Sequence, residues 1–368
     1  MSIWLGRSFR RYLGPLAVVL IAVAGSRCTA PAHRDALAAA IRERASLLRT
    51  SSSNDPIWKQ VADGSREGIT SAESSLAHGH RELALERLAE VWTDLGAGRY
   101  LIDRPESTRK DMAALEAEWK RLGPTLATRP GELSSHALDG VTPAAVRAQA
   151  EAAMPPVRIY YDASLDYARS TSPGSGFFYL GSAIAQRDFV ARCRQLSQPT
   201  ARTAPPLRSI ARELDVLEDT LLASYRPPAS IDLHPRFIEA SSALKEAREL
   251  DEAGLRYGAM LRYLQAVQLA SRVRGAAPAL DAAELSRRIV QIESRFAASG
   301  VDHSIGATYL QRAEEDLSAA PPESAHVAAS AIVAQVLPRY LEALEPALPM
   351  APRPPAEVTV TLVRWPYT

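Results

Sequence analysis

Lysine is nearly missing from this chain of 368 residues. It occurs only at Lys59, Lys110, Lys120 and Lys245, so arginine carries almost all of the positive charge. The 43 basic residues are balanced by 42 acids, a net +1. A general nucleic-acid binder needs a basic excess, so nucleic acid is not an expected partner. Cysteine is scarcer still. With only Cys28 and Cys193, a disulfide scaffold and a cysteine-rich metal site are both excluded. Aromatics make up 6% of the chain, against 46% hydrophobic and 23% charged residues. That is an ordinary globular balance, and the length suits one elongated array or two domains.

Chemical signatures are missing as well. The chain has no G-x-x-x-x-G-K-[ST], H-E-x-x-H, C-x-x-C or C-x-x-C-H, so nucleotide hydrolysis, zincin chemistry and c-type haem have no support. Gly174-Ser175-Gly176 lacks the further glycine and preceding strand of a dinucleotide loop; it is read as a helix breaker before Phe177. His78 and His80 are the one close histidine pair, read as solvated loop side chains without a third ligand. Glu323 and His326 have the spacing of one half of a di-iron motif, and no second half exists. Ser242 and Lys245 match S-x-x-K inside an amphipathic helix, with no companion motif. No cofactor, metal or catalytic residue is expected, and the protein is read as a non-enzyme.

The longest apolar run, 16–24, has nine residues, against the ~20 of a membrane span. Arg7, Arg10 and Arg11 precede it and small residues follow, which is the grammar of a signal peptide over 1–27. Ala22-Val23-Ala24 offers one cleavage site. Cys28 offers another. Residues 25–28 resemble the lipobox of bacterial lipoproteins, with Gly25 where an aliphatic residue is usual and Arg27 where a small one is. Cys28 is therefore the lipidation candidate. The expected location is the periplasm or a lipid anchor in the bacterial envelope, with membrane contact only through the N-terminus. Loss of 1–27 removes four arginines and no acid, leaving −3. Cys193 then reads as a buried structural thiol.

From residue 34 onward apolar residues recur at three- and four-residue spacing. The pattern predicts an all-α protein with helices over 34–49, 56–77, 80–95, 107–122, 143–153, 156–170, 176–197, 206–224, 236–253, 255–273, 280–299, 303–319 and 323–345. Thr142-Pro143 and Thr108 with Asp111 are read as helix starts. Pro155-Pro156 breaks one segment, and Pro338 kinks the last. Residues 123–141 lack periodicity and divide a helical region over 28–122 from one over 142–345. The runs Glu82, Glu86, Glu90 and Glu314-Glu315-Asp316 with Arg312 are read as solvated faces.

Two segments look alike. Gly254 is followed at five, six, nine and twelve residues by Ala259, Met260, Tyr263 and Ala266. Gly79 is followed at the same offsets by Ala84, Leu85, Leu88 and Val91. Gly181 and Gly306 open a third echo. The spacing resembles the turn and second helix of tetratricopeptide repeats. That resemblance implies antiparallel hairpins stacked as an irregular array or bundle, with a surface that holds a protein or peptide.

The tail differs. Residues 346–356 are a proline-rich spacer, and 357–365 alternate Val358, Val360 and Leu362 with threonines before Trp365. This predicts a single C-terminal strand, suited to adding onto another chain's sheet edge. The other binding candidates are the aromatics Tyr160, Tyr161, Phe177, Phe178 and Tyr179 of one hairpin. The function expected from the sequence is an envelope scaffold or adaptor for another envelope protein or peptide. The alternative is a periplasmic small-molecule-binding or sensory bundle.

Overall fold

The computed structural model describes residues 35–127, 138–228, 230–274, 280–319 and 322–344. Cys28, Val358, Val360, Leu362 and Trp365, with the rest of 1–34 and 346–368, lie outside the described residues. Among those described the chain is all-α. The helices are α1 (Ala36–Thr50), α2 (Pro56–Ala77), α3 (Arg81–Ile102), the single turn α4 (Glu106–Arg109), α5 (Met112–Leu126), α6 (Ala144–Ala152), α7 (Met154–Ser170) and α8 (Pro173–Leu196). They continue as α9 (Ala211–Ser224), α10 (His234–Glu252), α11 (Arg256–Arg274), α12 (Ala282–Ala298), α13 (Ser304–Ser318), α14 (Pro322–Ala331) and α15 (Leu337–Leu344). A π-helical turn, Ile332–Val336, joins the last two. It ends two residues before Pro338, which has no N–H to donate to the carbonyl four residues back.

Local chemistry sets many of the starts. Asp35 accepts from the backbone of Leu37 at 3.0 Å, and Asp55 from Ile57 at 2.9 Å with Pro56 following. Asp281 accepts from Glu284 at 2.8 Å. Each side chain satisfies a backbone donor that has no partner in the first turn. Pro155 and Pro156 fall in the first turn of α7, where they cost no hydrogen bond, and α6 ends at Ala152 before them.

Three expected starts are corrected. Thr142 does not cap α6; Thr142 Oγ1 donates to the Gln198 carbonyl instead. The cap comes from far along the chain: Asp302 Oδ2 accepts from Ala144 at 2.6 Å and Ser304 Oγ from Ala145 at 2.8 Å. Thr108 sits in α4, and Asp111 itself caps α5 through Ala113 at 2.9 Å. Gly174 and Gly176 do not break a helix, because α8 already starts at Pro173. Gly176 lies where a Cβ would meet Leu115 and Ala168. Helix α3 also overruns its expected end and runs on to Ile102. Helix α5 runs through Pro124 to Leu126, inside the segment expected as loop.

The α2–α3 and α10–α11 turns are the same turn. Gly79 and Gly254 have φ of +84° and +78°, a region that favours glycine. His80 N donates to the Ser75 carbonyl at 2.8 Å, and Leu255 N to the Leu250 carbonyl at 2.9 Å. These are the six-to-one bonds of a Schellman ending. All eight offset positions, from Ala84 to Val91 and from Ala259 to Ala266, are buried. Gly181 and Gly306 each lie against a tyrosine, Tyr100 and Tyr340.

Helix α2 packs on α3, α3 on α8, and α8 on α7; α10 packs on α11, and α11 on α6. Helix α13 lies against α3, α6 and α14. One main apolar core joins α1–α3 to α10–α15 through α6 and the end of α8. A second, around Leu115, Leu126, Tyr161 and Phe177, fills the space between α5, α7 and α8. The run Ala325–Leu344 is long and apolar enough to cross a membrane. In this fold Ile332, Val336, Leu337 and Tyr340 on it are core residues.

Candidate functional site

Helices α7 and α8 divide the aromatic candidates between two sides. Tyr161 and Phe177 go inward. Tyr161 stacks on Trp119 of α5 with centroids 4.7 Å apart. Its hydroxyl donates to the Trp119 carbonyl at 3.1 Å, while Trp119 Nε1 donates to the Tyr161 carbonyl at 3.0 Å. Phe177 is fully buried. Neither ring can meet a partner; both hold α5 against α7 and α8.

Tyr160, Phe178 and Tyr179 are half-buried on the opposite side. They join Tyr167 of α7. Tyr167 and Tyr179 stack with their ring centroids 3.9 Å apart. The ring centroids of Tyr160 and Phe178 each lie 6.0 Å from that of Tyr179. Tyr167 and Ile159 form the open edge, 37% and 39% exposed. Seven residues separate Tyr160 from Tyr167, two helical turns, which puts both on one stripe of α7.

Charges border this face. Burial first, then the carboxylates of Glu246 and Asp94, push the Tyr160 hydroxyl up to about 12, with Arg262 opposing. Arg262 is held in place. Its Nε lies 2.8 Å from Glu246 Oε2, an ion pair without hydrogen-bond alignment. Its other nitrogens donate to Gln265 at 2.8 Å and to the Ala152 carbonyl at 3.0 Å.

A second polar assembly joins α3 to α13. The runs read as solvated faces pair with each other. Gln311 bridges Glu82 and the backbone of Leu83 at 2.6 and 3.0 Å, and Arg312 reaches Glu86. Glu315 takes bonds from Ser75 at 2.6 Å, Arg87 at 2.6 Å and His80 at 3.2 Å. Burial works to raise the Glu315 pKa, but those three donors prevail and hold it low. His80 also lies 3.3 Å from Glu314, so this turn histidine is not solvated but engaged by the two carboxylates. His78 stays at the surface, bonded to the Ser74 carbonyl. Glu314 is pushed up to about 7 by burial and by Glu293, and Asp316 to about 6 by burial.

The remaining chemical candidates do not converge. His303 is buried between Phe296 and Tyr340, and burial lowers its pKa. Cys193 is fully buried and its thiol pushed up, as a structural thiol should be. Lys245 borders a groove of about 290 Å³ between α9 and α10 with Leu221, Leu222 and Arg248. Ser242 is exposed and does not line it. Among the described residues no group of three or more His, Cys, Asp or Glu could hold a metal ion. No protein-family model, no curated protein and no solved structure matches the chain.

Proposed function

We propose that the protein is a non-enzymatic scaffold of the bacterial envelope that holds a segment of another protein or peptide across the α7–α8 tyrosine face. The observation that carries this reading is the group Tyr160, Tyr167, Phe178 and Tyr179. Its rings are fixed against one another yet half-exposed. Such rings give large contact area at little entropic cost and are the commonest anchors of protein interfaces. The matched turns at Gly79 and Gly254 favour stacked hairpins of the tetratricopeptide kind as the frame. In this reading the leader or a lipid on Cys28 places the chain in the envelope. The strand over 357–365 adds a second contact by pairing with a sheet edge of the partner.

A photoreactive side chain at Tyr167 of the full-length chain, expressed in a bacterial envelope, tests the reading. It should give a discrete crosslinked product that the same group at Val290, exposed on α12, does not. Identical products from both positions, or none, would sink it.

A further inference from the structure

The proline-rich segment after α15 has a period. Pro346, Pro349, Pro352 and Pro355 recur at every third residue. A polyproline II helix has three residues per turn and rises about 3.1 Å per residue. In that conformation the spacing sets all four prolines on one edge, about 9 Å apart. The tyrosine face carries a matching interval. Tyr160 and Tyr167 stand seven residues apart on α7, about 10.5 Å along the helix axis. Tyr179 of α8 bridges them, stacked on Tyr167 and tilted beside Tyr160. Aromatic rings in such a row are the usual receptors of proline-rich chains. The proline ring is apolar and its chain is already extended, so docking costs little entropy. The backbone carbonyls stay unpaired in that conformation and can accept from tyrosine hydroxyls. The other aromatic groups offer no such row. Trp119 and Tyr161 cover each other, Phe296 and Tyr340 are core residues, and Tyr225 stacks on Phe237 as a pair.

The point where the segment leaves the fold bears on whose prolines these are. Pro346 stands two residues beyond Leu344, the end of α15, at most about 7 Å of chain. Helix α15 packs on α11 and α13, whereas the α7–α8 hairpin packs on α3, α5, α6 and α10. A proline-rich rod is stiff over several residues. Anchored that close to α15, it is better placed to reach a neighbouring molecule than to fold back onto its own α7–α8 hairpin. We propose that the tyrosine face takes a segment with proline at every third residue, and that residues 346–355 of a second copy of this chain supply it. This rests on the binding reading above and names the occupant. The contact is head-to-tail, so a pair of chains leaves one face and one proline segment free and can grow.

Sedimentation equilibrium of the full-length protein, loaded from about 1 μM to about 1 mM, tests this. The average mass should rise with concentration. Tyr167→Leu removes a ring of the face and keeps the prolines. Pro349→Ser with Pro352→Ser breaks the proline edge and keeps the face. Each variant alone should associate at least about tenfold more weakly. An equal mixture of the two should regain association and stop at the dimer, because one supplies the prolines and the other the face. Tyr225→Leu, at a half-buried tyrosine outside the face, should associate like the unaltered protein. Circular dichroism should show the same helical content in every variant. Association that survives both variants, falls equally with Tyr225→Leu, or is not regained in the mixture overturns the proposal. So does a protein that stays monomeric throughout, the result expected if the segment covers its own face or the face serves a different partner. A discrete crosslink from Tyr167 would then leave the docking face standing, and a blank one would remove it too.

Discussion

Arg312 of α13 is held to Glu86 of α3 across 226 residues of chain. Its other nitrogen donates to Gln268 of α11 at 3.0 Å. One guanidinium thus ties three helices together where an apolar contact would have served. The side chains are only a quarter and a sixth exposed, with relative areas of 26% and 15%.

Removing one partner of that pair should cost more than removing both. Arg312→Met leaves Glu86 half-buried without its counter-charge, at a cost of about 2 kcal/mol. Glu86→Leu should cost a similar amount, and the double variant clearly less than the sum. Urea unfolding of the four proteins measures the coupling. Strict additivity would mean that the pair contributes nothing.

The seam should also give stability a defined pH dependence. The carboxyl groups of Glu314 and Asp316 sit at about 7 and about 6 in the fold, against 4.5 and 3.8 as ordinary values. Raised carboxyl pKa values mean that the folded state binds protons the unfolded chain has released. Their contribution is therefore fully present at low pH and is lost as pH rises through about 4 to 7. The groups facing Glu314 are His80, from the α2–α3 turn, and Glu293 of α12. Glu314→Gln combined with Asp316→Asn should flatten the thermal midpoint across that window. A midpoint profile as steep as that of the unaltered protein would show that other groups set the slope.

Two glycines in helices should respond to alanine with opposite signs. At Gly258 an added Cβ would lie 2.6 Å from Glu151 Cβ and 2.8 Å from Ala152 N, at the close crossing of α11 and α6. Gly258→Ala should destabilise by about 1–3 kcal/mol, as overpacking does. At Gly64 on α2 nothing lies within 4 Å, and Gly64→Ala should stabilise by about 0.5–1 kcal/mol. Denaturant melts of the two variants decide it.

The aromatic hairpin should split by face. Phe177→Ala removes a fully buried ring and should cost about 3–5 kcal/mol. Tyr167→Leu, at the open edge, should change stability by less than about 1 kcal/mol while reducing partner crosslinking from a photoreactive group placed at Phe178 instead. Equal losses from both would mean that the outward rings serve only the fold.

Much of the helical order was legible in the residues. The 3.6-residue pattern placed α2, α7, α10, α11 and α13 within about two residues of their observed ends. The turn equivalence of Gly79 and Gly254 was visible too, because a left-handed turn demands glycine and the buried offsets repeat after it. The start of α6 was not legible. Its cap comes from Asp302 and Ser304, and no local spacing reports a partner some 158 residues away. Nor was the direction of the aromatics. Tyr160 and Tyr161 are chain neighbours, yet 100° of helix turn sends one to the candidate face and the other under Trp119.

The sequence alone determined that this chain would be helical, since periodicity, caps and turn glycines act within a few residues of themselves. Only the tertiary structure decided that Glu82, Glu86, Gln311, Arg312 and Glu315 are an interhelical seam rather than solvated faces. A helix face carries the same pattern of charges whether water or another helix lies opposite. The identity of that opposite surface is fixed by packing, through contacts between residues more than two hundred positions apart.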